Sequence, residues 1–311
     1  MISPFARLSA WWTQIRDSDL YWSFTRSKLV MLSALITVVF FAAAYGAPLL
    51  APHNPFDLAS LNLSDGFKPP VWEEGGDPSF LLGSDDQGRD ILSTIMYGSR
   101  TSLSVGFLAV IFAMVLGIGL GLIAGYLGGS VDAFIMRIAD VQLSFPAILI
   151  AMLVDGVTRS VMGSDRHSEA ALTVLIVSIG LSYWVQYART VRGSVLVEKN
   201  KEYVQAARVI GLPGPLIAIR HVLPNVMGPV LVIATINLAL AIITEATLSF
   251  LGVGLPPTQP SLGTLINTGQ QFLLSGEWWI TIFPGAALAI LVLSVNLLGD
   301  WLRDALNPKL R

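Results

Sequence analysis

The sequence predicts an all-α integral membrane protein with six transmembrane helices. Hydrophobic residues make up 53% of the 311-residue chain and charged residues only 13%, whereas about a quarter of a soluble domain is charged. The apolar residues fall in long uncharged runs instead of being spread evenly. Because a bilayer core needs about 20 mostly apolar residues per helix, these runs predict membrane spans and argue against a soluble enzyme.

Five runs are long enough to cross the hydrocarbon core, and a sixth is weaker. The first run, Leu29–Leu50, is too long for a signal-peptide core and lacks a small-residue cleavage site, so it predicts a retained helix. The weaker candidate, Asp132–Asp155, contains Arg137, Asp140 and Pro146, and we count it as a span because the alternation of loops requires it. The other runs are Thr101–Val131, Ala170–Ala188, Val222–Thr244 and Trp278–Gly299.

The distribution of lysine and arginine predicts that both termini are cytoplasmic, because positively charged loops stay on that side. With the N-terminus inside, fourteen of the 19 basic residues are cytoplasmic. This topology gives a cytoplasmic amphipathic segment at 1–28, an external loop region at 51–100 between the first two helices, and a cytoplasmic tail at 303–311. The five external basic residues are Lys68, Arg89, Arg100, Arg159 and Arg166.

The chain lacks the residue patterns of common catalytic sites. It has no cysteine, which excludes thiolate metal sites and a cysteine nucleophile. Its three histidines, His53, His167 and His221, are far apart and without clustered carboxylates, so we expect no metal site. The phosphate loop G-x-x-x-x-G-K-[ST] and the G-x-S-x-G elbow are absent. We therefore expect a chain that is not an enzyme and binds no cofactor, and its net charge of −2 does not suggest nucleic acid.

The long basic loop between the fourth and fifth spans predicts a short amphipathic helix at residues 200–212. Asn200 is a candidate N-cap, since its side-chain oxygen can accept an orphan backbone N–H. Gly211 supplies the left-handed residue that ends many helices, while Gln205 and Arg208 lie off the predicted contact face. Either the helix lies on the membrane or its own bundle, or it docks on another protein. The contact face, spaced i, i+3, i+4, i+7, comprises Tyr203, Ala206, Ala207 and Ile210.

This segment resembles the E-A-A…G…L-P signature of bacterial ABC importer permeases, through Gln205-Ala206-Ala207, Gly211 and Leu223-Pro224. In that family the segment is the coupling helix, which sits in a groove of the ATPase subunit. Gln205 stands where Glu is usual and His221 where Ile is usual, and the H-V-L-P-N stretch that begins at His221 is similar to the dipeptide/oligopeptide branch. The resemblance implies ATPase coupling for Tyr203, Gln205, Ala206, Ala207, Arg208, Gly211, His221 and Pro224.

Further motifs extend the resemblance over nearly the whole chain, to the C-type permease subunit. They include L-G-S-D-D-Q-G-R-D at 82–90, G-S-R-T-S-L at 98–103, E-A-T-L-S-F-L-G at 245–252 and the tail at 298–306. Asp132, Met136-Arg137, Asp140 and Phe145-Pro146 match the family's third-span pattern. One departure is the segment 155–169, which is longer and more polar than in the family and could alter contacts with a binding protein.

The resemblance implies a type I ABC importer transmembrane domain in the bacterial inner membrane, with residues 101–302 as the permease core and 51–100 as a periplasmic loop. It also implies a B-type permease partner, two ATPases that bind ATP and Mg, and a periplasmic binding protein that delivers dipeptides or oligopeptides. The alternative from another class is an ion-coupled secondary transporter or channel subunit. Such proteins usually show inverted repeats and midplane ionisable pairs, whereas this sequence shows no internal repeat.

Three further sets of residues have a functional and a structural interpretation. Glu245, near the external end of the fifth span, is an intramembrane acid that either contacts a peptide amine in the substrate pathway or is hydrogen-bonded structure. Arg137 and Asp140 are spaced for an ion pair. Glycines repeated every four residues in the second span predict close helix packing at a bundle or subunit interface, or a surface that slides during transport. These glycines are Gly117, Gly121, Gly125 and Gly129.

Overall fold

The computed structural model describes residues 19–57, 61–256 and 259–306, except for the side chains of 19, 20, 164–167, 169 and 306. Within these ranges the chain is helical and has no strand beyond one isolated bridge between Ser84 and Asp90. The all-α fold class is therefore confirmed. Most of the amphipathic segment predicted at 1–28 and the last residues of the tail at 303–311 lie outside the described residues.

Five described helices are long and apolar enough to span a membrane. They are α2 (Lys28–Leu50), α3 (Ile91–Leu127), α6 (Ser164–Glu198), α9 (Leu223–Phe250) and α11 (Trp279–Leu306). The shorter helices are α1 (Asp19–Arg26), α4 (Gly129–Leu143), α5 (Ala147–Met162), α7 (Glu202–Val209), α8 (Gly214–Ile217) and α10 (Leu262–Gln270). A π-helical turn at Ala218–Val222 joins α8 to α9.

The third predicted span is not one straight helix. It is divided into α4 and α5, whose axes differ by 98° across a break of three residues. Pro146 ends this break and precedes the first residue of α5. Proline has no backbone N–H and disfavours the helical conformation in the residue before it, so α4 cannot continue through it. The expected six spans are obtained when this bent pair is counted as one.

Helix α3 begins ten residues before the uncharged run that predicted it. Its start is fixed by Asp90, whose carboxylate accepts a hydrogen bond from the Ser93 backbone N–H at 2.8 Å. A helix of 37 residues is about 55 Å long at about 1.5 Å per residue, much longer than a hydrocarbon core of about 30 Å. Its first turns therefore extend beyond the membrane.

Small residues let α3 and α6 touch backbone to backbone. A Cβ atom at Gly117 would lie 2.5 Å from the Trp184 carbonyl oxygen, and one at Gly121 would lie 2.5 Å from the Ala188 carbonyl oxygen. Gly125 is similarly closed in by Val195. Distances below about 3 Å leave no room for a methyl group, so these three glycines form a helix-packing face inside the chain.

Gly129 does not belong to this face, which corrects the prediction of a fourth packing glycine. Helix α3 ends at Leu127, and Gly128 and Gly129 have φ angles of +69° and +56°. A Cβ atom at Gly129 would meet no heavy atom within 4 Å. The regular four-residue spacing failed here because the left-handed backbone of the two glycines turns the chain from α3 into α4.

The described residues form three apolar clusters, of which two are large and the third joins α3, α4 and α6. The first contains buried side chains of α3, α5, α6, α7 and α9, among them Tyr187 and Val204. The second contains buried side chains of α2, α3, α9, α10 and α11, among them Leu103 and Leu291. Helix α7, a short element outside the predicted spans, thus contributes to the same core as three of the spanning helices.

Residues 61–90 and 262–278 pack together at one end of the bundle, and we call them the cap. The Trp279 indole N–H, at the start of α11, donates to the Ser84 carbonyl oxygen at 3.0 Å. Within the cap the buried side chains of Asp85 and Arg89 form an ion pair at 2.6 Å.

Lys68, also in the cap and outside the spans, forms ion pairs with the carboxylates of Asp65 and Asp77. Its ammonium group is the main cause that lowers the pKa of Asp77 to about 2.

Candidate functional site: a coupling helix

Helix α7 lies at the end of the bundle opposite the cap, between α6 and α9. It starts at Glu202, two residues later than the segment predicted from the sequence, and Lys201 is its N-cap without a capping side-chain bond. The prediction that Asn200 caps α7 is wrong. The Asn200 side-chain amide instead donates to the Leu196 carbonyl oxygen at 3.0 Å, because α6 runs to Glu198 and leaves its last carbonyl groups to be satisfied.

Gly211 ends this helix in the left-handed conformation that the sequence predicted, with φ of +81°. The Leu212 N–H donates to the Ala207 carbonyl oxygen at 3.2 Å, and the Gly211 N–H donates to the Arg208 carbonyl oxygen at 3.0 Å. These two bonds form a Schellman motif, which satisfies carbonyl groups that the helix itself leaves without partners. The turn redirects the chain into Pro213 and α8.

The buried face of α7 differs from the predicted one. Val204 is fully buried and Ala207 is 4% exposed, and both belong to the first apolar cluster. Ala206 is exposed, and Val209 and Ile210 are 87% and 74% exposed. The predicted stripe mixed the two sides because a helix of eight residues docks through only two positions one turn apart. The apolar side chains left over face outward.

Tyr203 connects α7 to both neighbouring spans. Its hydroxyl donates to the Glu198 carboxylate at the end of α6 and accepts a hydrogen bond from the Asn225 side-chain amide of α9 at 3.2 Å. The Asn225 amide also donates to the His221 carbonyl oxygen at 2.7 Å. Desolvation and the neighbouring carboxylate raise the pKa of Tyr203 to about 12. The hydroxyl therefore keeps its proton and remains a donor at neutral pH.

The end of α6 is also bonded to the end of α3 and to α4. The Lys199 ammonium group donates to the Gly125 carbonyl oxygen at 2.7 Å. Arg192 makes a two-bond ion pair with Asp132 at 2.5 and 2.7 Å, a geometry that fixes orientation as well as distance. These bonds connect the end of α6, next to α7, to both α3 and α4.

The expected ion pair between Arg137 and Asp140 is not the one observed, because Asp140 pairs with Arg189 instead. The Asp140 carboxylate is bonded to Arg189 of α6, and both side chains are about half exposed. Spacing along α4 alone predicted the first partner, but the approach of α6 brings a second arginine to the same carboxylate. The pair thus joins two helices instead of stabilising one.

The remaining predicted coupling residues occupy the rim of the exposed face. Arg208 is exposed, with its guanidinium carbon 5.9 Å from the ring centre of Tyr126. Gln205 is exposed, and its amide group donates to the Lys199 carbonyl oxygen at 3.5 Å. His221 is half-buried in the π-helical turn, and Pro224 is exposed at the second position of α9.

Glu245 is remote from this helix and lies inside the bundle near the cap. It is fully buried, and its carboxyl group accepts a hydrogen bond from Ser249 at 2.8 Å. Ser102 and Ser261 also face the carboxyl group, and both are fully buried. A side chain without solvent exposure cannot touch cargo in this conformation, so the geometry supports the structural alternative for Glu245. Among the described residues, no three His, Asp or Glu side chains converge as metal ligands.

The sequence did not indicate the residues that position α7. Glu198 and Asn225 lie at the two borders of the basic loop, but nothing in their spacing predicts that both bond to Tyr203, or that Val204 is the buried residue of α7. Their contacts depend on how α6 and α9 approach each other in the folded bundle. Only the presence of a short helix and the glycine turn that ends it could be predicted from the local sequence.

Residues 117–311 match the family described as binding-protein-dependent transport system inner membrane component, and residues 18–70 match the N-terminal transmembrane domain of oligopeptide transport permease C. The first match covers more than half of the chain. It includes α7, the packing face of α3 and Glu245.

Named relatives cover most of this chain. The dipeptide transport system permease protein DppC of Escherichia coli K12 is 40% identical over 93% of this chain and 91% of its own length. The protein of the same name from Haemophilus influenzae is 39% identical over 89% of this chain and 91% of its own length. The glutathione transport system permease protein GsiD of Pectobacterium atrosepticum is 37% identical over 93% and 89%.

The fold is also similar to that of a solved transporter. An inward-facing structure of the MetNI methionine ABC transporter aligns with a TM-score of 0.53 and 21% identity, covering 69% of this chain and 96% of that one. This likeness supports the type I importer architecture. Together with the family match and the named relatives, it shows that this chain belongs to the binding-protein-dependent transport inner-membrane family, the permease subunits of ABC importers.

Proposed function

We propose that this chain is the C-type permease subunit of a dipeptide or oligopeptide importer. With a second, B-type permease it would form the pathway for cargo delivered by a periplasmic binding protein. Two partner ATPases would bind ATP and Mg and supply the energy. The names of the relatives support peptides as cargo, and the glutathione permease among them keeps other small peptides within the proposal.

The observation that carries the proposal is the combination of an exposed apolar face and a rigid mounting in α7. Val209 and Ile210 lie almost fully in the open, although burial of an apolar side chain is worth about 1.5–3 kcal/mol. The same helix is fixed to α6 and α9 through Tyr203. Helix α7 therefore has an exposed apolar face that can bind another protein and a second face that is hydrogen-bonded to the spans. This combination is suited to transmit a movement of the bound protein to the spans.

The proposed mechanism is alternating access. Closure of the paired ATPases around ATP would move α7, and the bonds at its base would carry this movement into the spans, opening the pathway outward. Hydrolysis would then reset it inward. A ligand shifts such an equilibrium only through different affinities for the two states, and the ATPases provide that difference. This mechanism requires α7 and both termini in the cytoplasm and the cap outside, the orientation that the basic residues predict.

Uptake by the reconstituted complex tests the proposal. The complex of this chain, its permease partner and the ATPases is placed in vesicles with the binding protein and a labelled dipeptide. We expect uptake that requires internal-side ATP and the binding protein and that vanadate inhibits. Uptake driven by an ion gradient without the ATPases would instead establish the alternative, a secondary transporter.

A further inference from the structure

A cavity of about 290 Å³, lined by both polar and apolar groups, lies near the cap, between α5, the end of α9 and α10. Its size is close to the lower limit of small-molecule pockets, about 300–1,000 Å³. The lining includes Arg159 from α5, Ser249 from α9, and Asn267 and Thr268 from α10. Arg159 comes from the segment 155–169 that departs from the family pattern, and the coupling function does not use it.

Arg159 is the charged residue among the described residues that line the cavity. No described acidic side chain forms an ion pair with it. Helix α5 belongs to the bent pair that forms the third span. Arg159 is exposed and lies in the last turn of α5, on the external side of this span. The guanidinium group thus offers its donors to whatever enters the cavity.

The other described lining residues are uncharged, and among them Asn267 and Thr268 have side chains that can hydrogen-bond a peptide. Asn267 donates its side-chain N–H to the Phe250 carbonyl oxygen at 2.6 Å. This bond does not use the side-chain carbonyl oxygen of Asn267, which can accept a hydrogen bond from a ligand. Ser249 is turned away, because its hydroxyl is bonded to Glu245. The carboxyl group of Glu245 is therefore separated from the cavity by Ser249, and Arg159 is the charged group that the described lining presents to the cavity.

We propose that this cavity is a cargo-binding site in the permease, in which Arg159 pairs with the terminal carboxylate of the transported peptide. The inference rests on the proposed function and adds a binding residue to it. Guanidinium and carboxylate match each other with two parallel hydrogen bonds. Every linear peptide carries this carboxylate whatever its side chains, so the site would accept many sequences and reject cargo without the anion.

A lipid phosphate is the other anion that could reach Arg159. The position of the cavity favours cargo, since protein lines it on three sides, from α5, α9 and α10, with hydroxyl and amide groups. A lipid-facing arginine would affect the uptake of all cargo equally, whereas a cargo site distinguishes a peptide acid from its amide. The experiment is built on this difference.

Uptake by the reconstituted complex is compared for a dipeptide and for the same dipeptide with a C-terminal amide. Each peptide is loaded beforehand onto saturating binding protein, and the ratio of mutant to wild-type rate is taken for each peptide separately, so the affinity of the binding protein cancels. Loss of a hydrogen-bonded charge pair weakens binding roughly tenfold or more. We therefore expect Arg159→Gln to lower acid uptake about tenfold and to leave amide uptake within about twofold.

Two further variants make the result decisive. Arg159→Lys keeps the charge and should retain most of the preference for the acid, which covers the case in which the glutamine variant fails to assemble. Arg303→Gln, an exposed arginine in the last turn of α11, is the control and should change neither rate. Acid uptake by Arg159→Gln at the wild-type rate, or equal losses for acid and amide, would overturn the inference. Absence of ATP-driven uptake in the wild type would instead reject the proposed function.

Discussion

The hydroxyl of Tyr203 donates to the carboxylate of Glu198, and this bond connects the first turn of α7 to the last residue of α6. The same oxygen accepts from Asn225 of α9. A single tyrosine thus contacts both spans that flank the coupling helix. The raised pKa of Tyr203, about 12, keeps the hydroxyl protonated at higher pH than in an ordinary tyrosine, whose pKa is about 10.

Tyr203→Phe should separate ATP hydrolysis from transport. A hydrogen bond to a charged group is worth about 1.5–3 kcal/mol, and the phenyl ring keeps the packing. We expect the amount of dipeptide transported per ATP to fall severalfold while ATPase activity persists, measured in vesicles. Tyr45→Phe is the matched control, because it removes an exposed tyrosine hydroxyl bonded to Ser104. An unchanged ratio in Tyr203→Phe would show that this bond does not transmit movement.

Val209→Glu should release the ATPase subunits. A carboxylate in the middle of an apolar contact loses its hydration without gaining a partner, which costs several kcal/mol. Co-purification of the ATPases with the permease measures this loss. Leu63→Glu alters an equally exposed apolar residue in the cap and should retain the ATPases. Retention of the ATPases by Val209→Glu would place the docking surface elsewhere.

Gly211→Val should distort the end of the coupling helix. At a φ of +81°, a residue with a Cβ atom is strained by about 1–2 kcal/mol, and a β-branched one by more. We expect impaired uptake with residual ATP hydrolysis. Gly193→Ala, on α6 where a Cβ meets nothing within 4 Å, should transport normally. Wild-type uptake by Gly211→Val would contradict a role of this turn in coupling.

Gly121→Ala should destabilise the protein, whereas Gly119→Ala should not. A methyl group at Gly121 would lie 2.5 Å from a backbone carbonyl oxygen of α6, but one at Gly119 would meet nothing within 4 Å. Overpacking typically costs about 1–3 kcal/mol, and alanine in an open helix position is favourable by up to about 1 kcal/mol. Thermal denaturation in detergent measures both. Equal melting temperatures would mean that α3 and α6 can separate freely.

Glu245→Gln should leave cargo selectivity unchanged, because the side chain is enclosed by Ser102, Ser249 and Ser261. Glu245→Leu removes the acceptor of the Ser249 hydroxyl, and a buried polar group left without its partner costs about 1–3 kcal/mol. We expect a lower melting temperature for the leucine variant only. A change of peptide preference in the glutamine variant would show instead that Glu245 contacts the transported peptide.

The sequence predicted the parts of the fold that depend on local composition. The uncharged runs located α2, α3, α6, α9 and α11, and Gly211 was recognised as the end of the coupling helix. It did not predict the 98° break before Pro146 as a change of direction, because hydropathy averages over a bend. It also extended the glycine repeat to Gly129, since a pattern of residue types does not contain the backbone angles that end a helix.

The short helix predicted between the fourth and fifth spans is present, but its buried face differs from the predicted one. Amphipathic spacing selected Tyr203, Ala206 and Ile210 as a contact face, but the fold buries Val204 and Ala207. With eight residues, several stripes fit the pattern equally well, and tertiary packing decides among them. The bonds from Tyr203 to Glu198 and Asn225 and the cavity at Arg159 join segments distant in sequence, so local reasoning could not find them.

The contact of α3 with α6 through Gly117, Gly121 and Gly125 also limits the movements available to the permease. The two backbones touch over three consecutive turns, so shear along their axes would drive carbonyl oxygens into neighbouring atoms. Tilting as one stiff unit avoids this collision. Rotation of this unit about a point in mid-membrane moves its two ends in opposite directions. A movement of the end near α7 towards the axis of the transporter would therefore move the end near the cap away from that axis and widen the opening there.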